Sequence, residues 1–414
     1  MNGSADKDRR LIVIVTGANG GVGFGTCHRL LVQLSQVQPP DALPRVTSTD
    51  TAFEFAHAGL TIIMACRDLK RAEAAREKLY TLIDERIMSM LQGSSEHDYA
   101  VKFRENLVLA IHRLDLSSVQ SVLDFGAEIS QEYPYISHLI CNAGLATYSH
   151  VDFLVFLEQF LQSPRRAVES PRCNVQKSGV MSKDGLGFVW QCNIFGHYVL
   201  FRTLQPLLSA SSESSGFHTP ARVLWISSID VLPAYDTKSD WQLTKTKDSY
   251  QASKFQLELM ILELSRRSQQ CQNAEGVQHL LLHPGISPTS IASEILKPEI
   301  LRYLMLAAFF VIRLLAGCRY VNFSVYHAAL ATVHVALAPL AALVGPPSRS
   351  TSSTIRKFGT ESSRWGEERL GCTEVTAWDE HPDEGKLLVD RCEGLYQTFL
   401  KAGPISNNAV DTSL

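Results

Sequence analysis

The sequence lacks the features that mark several protein classes. It has no long run of Lys and Arg, and its formal net charge is −3, so no nucleic-acid partner is expected. Its nine cysteines include no C-x-x-C pair, which predicts neither a zinc site nor a disulfide framework. The polar N-terminus is followed by an apolar run too short for a signal peptide. We therefore expect a protein of a reducing compartment, without a metal.

Short apolar runs alternate with amphipathic stretches along most of the 414 residues. This alternation predicts the α/β class, with a Rossmann-type doubly wound parallel sheet of about seven strands. We predict a single domain, 1–414, whose dinucleotide-binding and catalytic core covers 10–290. The predicted core strands are 11–15, 60–65, 107–112, 136–140, 222–226 and 277–282. Polar stretches predict three insertions, at 36–58, 150–183 and 230–248.

Two apolar segments follow the last predicted core strand. Residues 300–317 contain only Arg302 and Arg313 as charged residues, and 321–347 contain none and are long enough to cross a bilayer. We favour buried helices that close the fold over a membrane span. The first segment can also lie on a membrane surface or guard an apolar pocket. The prediction is thus apolar helices over 297–345, for substrate-pocket or membrane contact, and then a C-terminal extension over 356–414.

A glycine-rich stretch follows the first predicted strand and precedes a helical pattern. It reads T-G-x-x-x-G-x-G. Gly17 permits a tight turn, Gly21 lets backbone approach a pyrophosphate, and Gly23 lets the helix pack close to the strand. A plain glycine turn is the alternative, but the strand–turn–helix context favours a nucleotide site. The residues assigned here to cofactor binding are Thr16, Gly17, Asn19, Gly21, Val22 and Gly23.

The end of the second predicted strand indicates which dinucleotide is bound. Arg67 lies where an acidic residue would hold the ribose 2′-hydroxyl of NAD. A guanidinium suits the 2′-phosphate of NADP instead. Arg67 can also simply face water at a helix start, and Asp68 keeps NAD open. We therefore predict NADPH/NADP as the cofactor.

Polar and small residues follow the next two predicted strands. Asp115 comes after the third strand, and Asn142, Ala143 and Gly144 come after the fourth. A helix-capping carboxylate and a turn are the alternative interpretations. Because ligands of open α/β sheets bind at the carboxyl ends of the strands, we assign these residues to the cofactor as well.

Tyr250 and Lys254 are one helical turn apart and share a helix face. A cation beside a phenol favours the phenolate and moves its pKa toward neutrality. Such a pair can move a proton to or from a carbonyl oxygen. Taken alone, the spacing also fits a surface pair.

These motifs together resemble the short-chain dehydrogenase/reductase family, whose order they follow over residues 10–290. The elements that carry the resemblance are Thr16 to Gly23, Asp115, Asn142 to Gly144, Asn193, Ser228, Tyr250 with Lys254, and Pro284-Gly285 with Thr289. The stretches 184–198 and 225–230, and Ala65-Cys66-Arg67, are further similar to fungal 3-keto-steroid reductases. Ser228 and Tyr250 are 22 residues apart, which is more than the family usually has; the insertion 230–248 can loop out between them.

The resemblance implies an NADPH-dependent reduction of the 3-ketone of a C4-demethylated sterol to the 3β-hydroxyl, in ergosterol biosynthesis. It implies a sterol decarboxylase and a methyl oxidase as partners, at the cytosolic face of the endoplasmic reticulum membrane or at lipid droplets. Two alternatives stay open. One is a reductase that tailors another steroid or triterpenoid ketone, and the other is a non-catalytic dinucleotide-binding scaffold for membrane sterol enzymes.

The resemblance also implies roles for individual residues. Tyr250 would donate the proton, while Lys254 would lower the pKa of Tyr250 and hold the nicotinamide ribose. Ser228 would orient the carbonyl, with Ser227 as the competing choice. Asn193 would bend its helix and connect Lys254 to solvent. The remaining assignments, all next to the nicotinamide, are Pro284, Gly285 and Thr289.

Overall fold

The computed structural model describes residues 10–43, 59–215, 219–270, 277–287, 299–344, 356–375, 381 and 383–402. Its main sheet has eight strands in the order β10-β9-β8-β7-β4-β1-β2-β3, and only β10 runs antiparallel to its neighbour. These strands are β1 Arg10–Thr16, β2 Gly59–Cys66, β3 Leu107–Arg113, β4 His138–Cys141, β7 Arg222–Ile226, β8 Gln278–His283, β9 Arg356–Ser362 and β10 Glu368–Glu374. A second sheet pairs β5 Tyr148–Val151 with β6 Asn174–Gln176. The predicted doubly wound parallel sheet is confirmed, with seven parallel strands and one antiparallel edge strand.

Helices cover both faces of the main sheet. In chain order they are α1 Gly21–Leu34, α2 Leu69–Met88, α3 Ser95–Glu105, α4 Val119–Glu132, α5 Phe153–Gln162, α6 Pro164–Glu169, α7 Phe188–Trp190, α8 Gly196–Ser209, α9 Ser211–Ser214, α10 Ser249–Gln270, α11 Glu299–Ala316, α12 Val325–Ala328, α13 Leu330–Leu337, α14 Leu340–Val344 and α15 Glu384–Ala402. A π-helical turn, Gln191–Phe195, joins α7 to α8, and a 3₁₀ turn covers Pro40–Ala42. One face carries α4, α8, α10 and α15, and the other carries α1, α2, α3 and α13.

The central strands are apolar because both of their faces are covered. Every residue of β2 and β7 is buried, as are six of the seven residues of β1. Fully buried strands read as continuous apolar runs rather than as alternating patterns. The largest buried side chains on the α8 face include Trp190, Phe195 and Trp225. The sheet therefore lies between two separate cores and presents the carboxyl ends of its strands at one edge.

The sheet continues beyond residue 290, where the predicted core ended. Strand β9 pairs in parallel with β8, and α15 packs on α10. The segment predicted as a C-terminal extension thus supplies two strands of the sheet and one covering helix. Strand β9 carries buried charged residues, Lys357 and Glu361, which obscure the apolar pattern that identifies a central strand.

The predicted apolar region 297–345 contains four helices, α11 to α14, in its described part. Helix α13 is buried along its whole length, and the chain turns at Pro339 after it. Helix α11 leaves Phe310, Val311 and Leu315 exposed. Among the described residues, no helix combines the length and the apolar character that a bilayer crossing needs.

The three predicted insertions differ in structure. The insertion 36–58 is described only as far as residue 43, where it contains the 3₁₀ turn. The insertion 150–183 holds α5, α6 and strand β6. The insertion 230–248 contains neither helix nor strand. The last two both lie against the N-terminal end of α10.

Candidate active site

The glycine turn between β1 and α1 is shaped by close backbone contacts. Gly17 and Gly21 have positive φ angles of 68° and 52°, a region that favours glycine. A Cβ at Gly23 would lie 2.4 Å from the carbonyl oxygen of Gly17. Gly20 is the N-cap of α1, and no side chain caps this helix end. The first N–H groups of α1 are therefore available to a phosphate, and Asn19 and Val22 are partly exposed beside them.

Thr16 joins two strand ends and is fully buried. Its hydroxyl accepts the N–H groups of Asn142 and Ala143 at 2.9 Å each and lies 3.0 Å from Nε2 of His197. The amide of Asn142 donates to the Thr16 carbonyl at 2.9 Å. Thr16 and Asn142 thus fix the distance between the ends of β1 and β4, and the Thr16 side chain has no free surface for a cofactor.

Two arginines follow strand β2, next to the end of the sheet that carries the glycine turn. Arg67 is exposed just after β2. Arg71, in the first turn of α2, lies 3.8 Å from the position that a Cβ of Gly20 would take. The Asp68 carboxylate caps α2 by accepting the N–H of Arg71 at 3.0 Å. The open space at Gly20, with Arg71 beside it, fits a phosphorylated dinucleotide such as NADPH.

Asp115 has its carboxylate oxygen Oδ1 engaged in a local turn. It accepts the backbone N–H and the hydroxyl of Ser117, at 3.0 and 2.7 Å. The N-cap of α4 is Ser118, whose hydroxyl accepts the N–H of Ser121. Asp115 itself stays partly exposed at the end of β3. This turn places the predicted cofactor residue at the same sheet edge as the glycine turn.

Asn193 sits in the π-helical turn and is buried. Its amide donates to the Leu145 carbonyl and to the Ser253 hydroxyl and accepts the N–H of Leu145, at 2.9 Å each. A Cβ at Gly144 would lie 3.4 Å from Oδ1 of Asn193 and 3.6 Å from Nζ of Lys254. The sequence predicted that Asn193 bends its helix, and the structure has a π-helical turn at this residue. The side chain ties the loop after β4 to helix α10.

Lys254 is buried behind Tyr250 in helix α10. Its Nζ donates to the carbonyl of Ile226 at 2.8 Å and lies 5.8 Å from the centre of the Tyr250 ring. Burial lowers the pKa of Lys254 to about 8; the carboxylate of Glu258 opposes this change and the ammonium of Lys357 adds to it. The ammonium form still predominates at neutral pH.

Tyr250 has a pKa above its ordinary value, in contrast to the predicted lowering by Lys254. Burial of the phenol is the main cause; a hydrogen-bond interaction with Ser228 opposes it, and the carboxylate of Asp230 adds to it. The free energy needed to remove a phenolate from water exceeds the stabilisation of that phenolate by the Lys254 ammonium, which lies 5.8 Å from the centre of the ring. The phenol is therefore neutral at pH 7, which is the form that can donate a proton.

The two serines after β7 point to different partners. The Ser227 hydroxyl donates to the Glu258 carboxylate at 2.6 Å and is buried. The Ser228 hydroxyl accepts the N–H of Asp230 at 3.1 Å and meets Tyr250. Ser228 is thus the serine of the site, and the 22 residues between it and Tyr250 do not separate their side chains.

The insertion 150–183 supplies residues that sequence reasoning missed. Gln176 accepts the N–H of Tyr250 at 2.9 Å and the hydroxyl of Ser249 at 3.0 Å. Its own amide donates to Gln251 at 2.7 Å. Gln176 therefore caps the helix that carries Tyr250 and Lys254. It could not be found by spacing, because it lies 74 residues before Tyr250.

The turn after β8 completes the sheet edge. Gly285 has a φ of 69°, and a Cβ there would lie 2.6 Å from Nδ2 of Asn322. Asn322 donates to the Pro284 carbonyl at 2.9 Å. The third predicted residue of this group, Thr289, lies outside the described residues. Pro284 and Gly285 are partly exposed beside the end of β7, as their predicted place requires.

One group of possible metal ligands occurs among the described side chains, namely His112, Glu128 and Glu132. Nδ1 of His112 lies 3.0 Å from the Glu128 carboxylate, and Nε2 lies 3.7 Å from that of Glu132. Both glutamates are exposed on α4. These contacts are explained by pairing across β3 and α4, and the predicted absence of a metal stays a prediction.

The chain is similar to curated fungal proteins named 3-keto-steroid reductase. It is 29% identical to the protein of Kluyveromyces lactis over 325 residues, which cover 78% of this chain and 80% of that one. It is 27% identical to the protein of Candida glabrata over 366 residues, or 88% and 89% of the two chains. The protein of Aspergillus fumigatus is 26% identical, over 90% of this chain and 83% of its own. The resemblance indicated by the motifs is confirmed.

No family model matches the chain. A solved structure from Mycobacterium paratuberculosis is 18% identical and covers 96% of this chain and 98% of its own, with a TM-score of 0.47. Salutaridine reductase from Papaver somniferum is 16% identical over 80% and 96% of the two chains, with a TM-score of 0.45. The assignment of the fold rests on the strand order and the parallel register of the main sheet.

Proposed function

We propose that the protein is an NADPH-dependent reductase of the 3-ketone of a C4-demethylated sterol. The observation that carries the proposal is the meeting of Ser228, Tyr250 and Lys254 at the carboxyl edge of the sheet, next to the glycine turn. The similarity to 3-keto-steroid reductases over most of both chains supports the choice of a sterol as substrate.

The proton chemistry follows from the charge states of the site. The neutral phenol of Tyr250 donates its proton to the ketone oxygen as that oxygen becomes an alkoxide. The Lys254 ammonium stabilises the phenolate left behind. The Ser228 hydroxyl accepts the N–H of Asp230, so it keeps its own proton as a donor, which can turn from Tyr250 to the ketone oxygen and orient it.

Bound NADPH would supply the hydride. The glycine turn would hold its pyrophosphate, with N–H groups at the start of α1 as donors. Arg67 and Arg71 carry the positive charge that a 2′-phosphate requires. Asp68 is already used as a helix cap, which weakens the alternative of NAD. These residues bind and orient the cofactor, and the reacting proton comes from Tyr250.

An exposed apolar surface supports contact with a membrane. We define it by Phe153, Leu154, Leu157 and Leu161 of α5, Phe310, Val311 and Leu315 of α11, and Trp365 of the β9–β10 turn, all exposed. Both helices take part in one apolar cluster, to which α5 contributes Phe160 and α11 contributes Ile312. Trp365 is 80% exposed, and indole rings favour the interface between lipid and water.

We propose that this apolar surface rests on the cytosolic face of the endoplasmic reticulum membrane. There the protein would receive its sterol next to the sterol decarboxylase and methyl oxidase that the resemblance implies as partners. Leu154→Gln/Leu161→Gln should reduce binding to neutral phospholipid vesicles several-fold in a flotation assay, because each change removes buried apolar area. Leu91→Gln is the matched control, since Leu91 is 81% exposed outside this surface.

The purified protein tests the proposed reaction directly. With NADPH and a 4-methyl-3-keto-sterol it should form the 3-hydroxysterol, detected by mass spectrometry. Turnover of another polycyclic ketone with none of the sterol would favour the alternative tailoring reductase. NADPH binding without turnover of either ketone would favour the scaffold.

A further inference from the structure

A buried ion pair lies directly behind the strand end that carries Ser228. Nζ of Lys357, on β9, lies 2.6 Å from the Glu258 carboxylate of α10. The same Nζ donates to the Ser228 carbonyl at 2.6 Å, and the same carboxylate accepts the Ser227 hydroxyl at 2.6 Å. Lys357 and Glu258 are 9% and 5% exposed. The pair therefore holds both serines after β7: Lys357 contacts the Ser228 carbonyl and Glu258 contacts the Ser227 hydroxyl.

The pair also adjoins Lys254. Glu258 follows Lys254 by one helical turn, on the same face of α10. Lys254 holds the carbonyl of Ile226, and Lys357 holds that of Ser228, two residues further along. Two ammonium groups thus fix the end of β7 through its backbone, and the carboxylate of Glu258 lies next to both.

We propose that Glu258 and Lys357 are positioning residues of the proposed reductase site: Lys357 fixes the backbone of Ser228, and the pair controls the charge on Lys254. The inference rests on the proposed function for its kinetic consequences, but not for the charge on Lys254. It assigns a part in the site to β9, a strand more than 100 residues beyond Lys254.

The charges around Lys254 give the direction of each effect. Glu258 raises the pKa of Lys254 and Lys357 lowers it. From the other elements around it, Lys254 is faced by the thiol of Cys141 on β4, the imidazole of His197 on α8 and the phenol of Tyr250. Burial lowers the pKa of His197 to about 3 and raises that of Cys141, so both are neutral at pH 7. Among the described side chains, Glu258 and Lys357 are then the charged groups that act on Lys254.

A merely structural ion pair would behave differently. Breaking a buried pair is destabilising whichever partner is removed, because the other charge is left unpaired. If the pair controls the charge on Lys254, removing one partner should shift the pKa of Lys254 in the opposite direction to removing the other. Lys357→Met should raise the pKa of Lys254 and Glu258→Gln should lower it, each by about 0.5 to 1 unit. The double variant should return it close to the original value.

The experiment measures how the reaction of Lys254 with acetic anhydride depends on pH, by peptide mass spectrometry of the full-length protein. This readout needs neither NADPH nor a sterol, so it stays informative if the sterol is not the substrate. Arg202→Met is the control, because it breaks the ion pair of Arg202 with Glu393, away from the site, and should leave the titration unchanged. Lys357→Arg keeps the charge and should also leave it in place.

Kinetics of the same variants supply the second measurement. If Lys357 fixes Ser228, Lys357→Met should lower kcat for the sterol ketone about tenfold with little change in KM. The pH above which kcat falls should be higher in Lys357→Met than in the wild-type protein, and lower in Glu258→Gln. Shifts of the same sign, or no shift in either variant, would overturn the proposal. If the wild-type protein turns over no sterol ketone, the proposed function fails, and the labelling result still decides the role of the pair.

Discussion

The cofactor side and the reaction side of the site are held together by different forces. At the glycine turn, backbone lies against backbone, and a single added Cβ at Gly23 would come within 2.4 Å of the Gly17 carbonyl oxygen. Around Tyr250, side chains from distant segments fix the geometry: Gln176 caps the helix and Lys357 holds the Ser228 carbonyl. The glycine turn is therefore sensitive to added side-chain atoms, whereas the surroundings of Tyr250 are sensitive to the loss of polar side chains.

Because the two regions are held by different contacts, cofactor binding and the reaction with the ketone depend on different sets of residues. Backbone close packing creates a rigid cradle with N–H groups available at the start of α1, which suits the pyrophosphate of a cofactor that stays the same whichever ketone is reduced. Polar side chains from insertions can change without altering that cradle. The reaction side can thus adapt to a substrate while the cofactor side stays the same.

Tyr250→Phe should have the largest effect on the reaction side. It removes the proton donor and leaves the ring, so ketone reduction should fall by about 10² to 10⁴-fold. NADPH binding, followed by cofactor fluorescence, should change little because the cradle is intact. Retention of full activity would show that another group donates the proton.

Gly23→Ala should break the cofactor side. The added methyl group overlaps the Gly17 carbonyl, so overpacking should cost about 1 to 3 kcal/mol of unfolding free energy. NADPH affinity should fall at least tenfold, because the turn must shift. Gly394→Ala is the control, since a Cβ there meets nothing within 4 Å and should if anything stabilise α15. Equal affinities in the two variants would contradict the close-packing argument.

Gln176→Ala should weaken the reaction side without touching the cradle. The N–H of Tyr250 and the hydroxyl of Ser249 lose their acceptor, which should cost about 1 to 2 kcal/mol in stability. We expect kcat to fall roughly tenfold with NADPH affinity preserved. Gln162→Ala, an exposed amide that contacts Glu158, should change neither quantity.

The pH dependence should show activity and stability moving in opposite directions. The pKa of Lys254 is about 8 in the folded protein, against an ordinary value of 10.5. Between these values the unfolded chain binds more protons, so this group adds stability as pH rises. Loss of its ammonium should meanwhile reduce kcat above about pH 8. Lys254→Met should abolish the contribution of this group to the pH dependence of stability, measured by denaturant unfolding.

The residues that sequence reasoning located are those fixed by short intervals. Gly17 to Gly23 lie in one turn, and Tyr250 and Lys254 in one helical turn, so local geometry alone relates them. Ser228 was predicted over Ser227 from its place on the loop side of the pair, and its hydroxyl is the one that meets Tyr250. The parallel arrangement of the central strands, with helices on both faces, also follows from their apolar runs and intervening helices.

Other features depended on contacts that no interval encodes. Gln176 reaches Tyr250 from an insertion, and Lys357 enters the sheet on a strand whose buried charges hide its apolar pattern. The predicted lowering of the Tyr250 pKa was wrong because burial, which the motif does not show, outweighs the nearby cation. Glu258, one turn after Lys254, was the missed residue that helical spacing could have indicated.

An experimental structure with NADPH and a 4-methyl-3-keto-sterol would test the central claim most directly. The ketone oxygen should lie about 3 Å from both the Tyr250 and the Ser228 hydroxyls. The Lys254 ammonium should then lie near the nicotinamide ribose. A sterol whose 3-ketone lies away from Tyr250 and Ser228, with its oxygen held by other groups, would contradict the account.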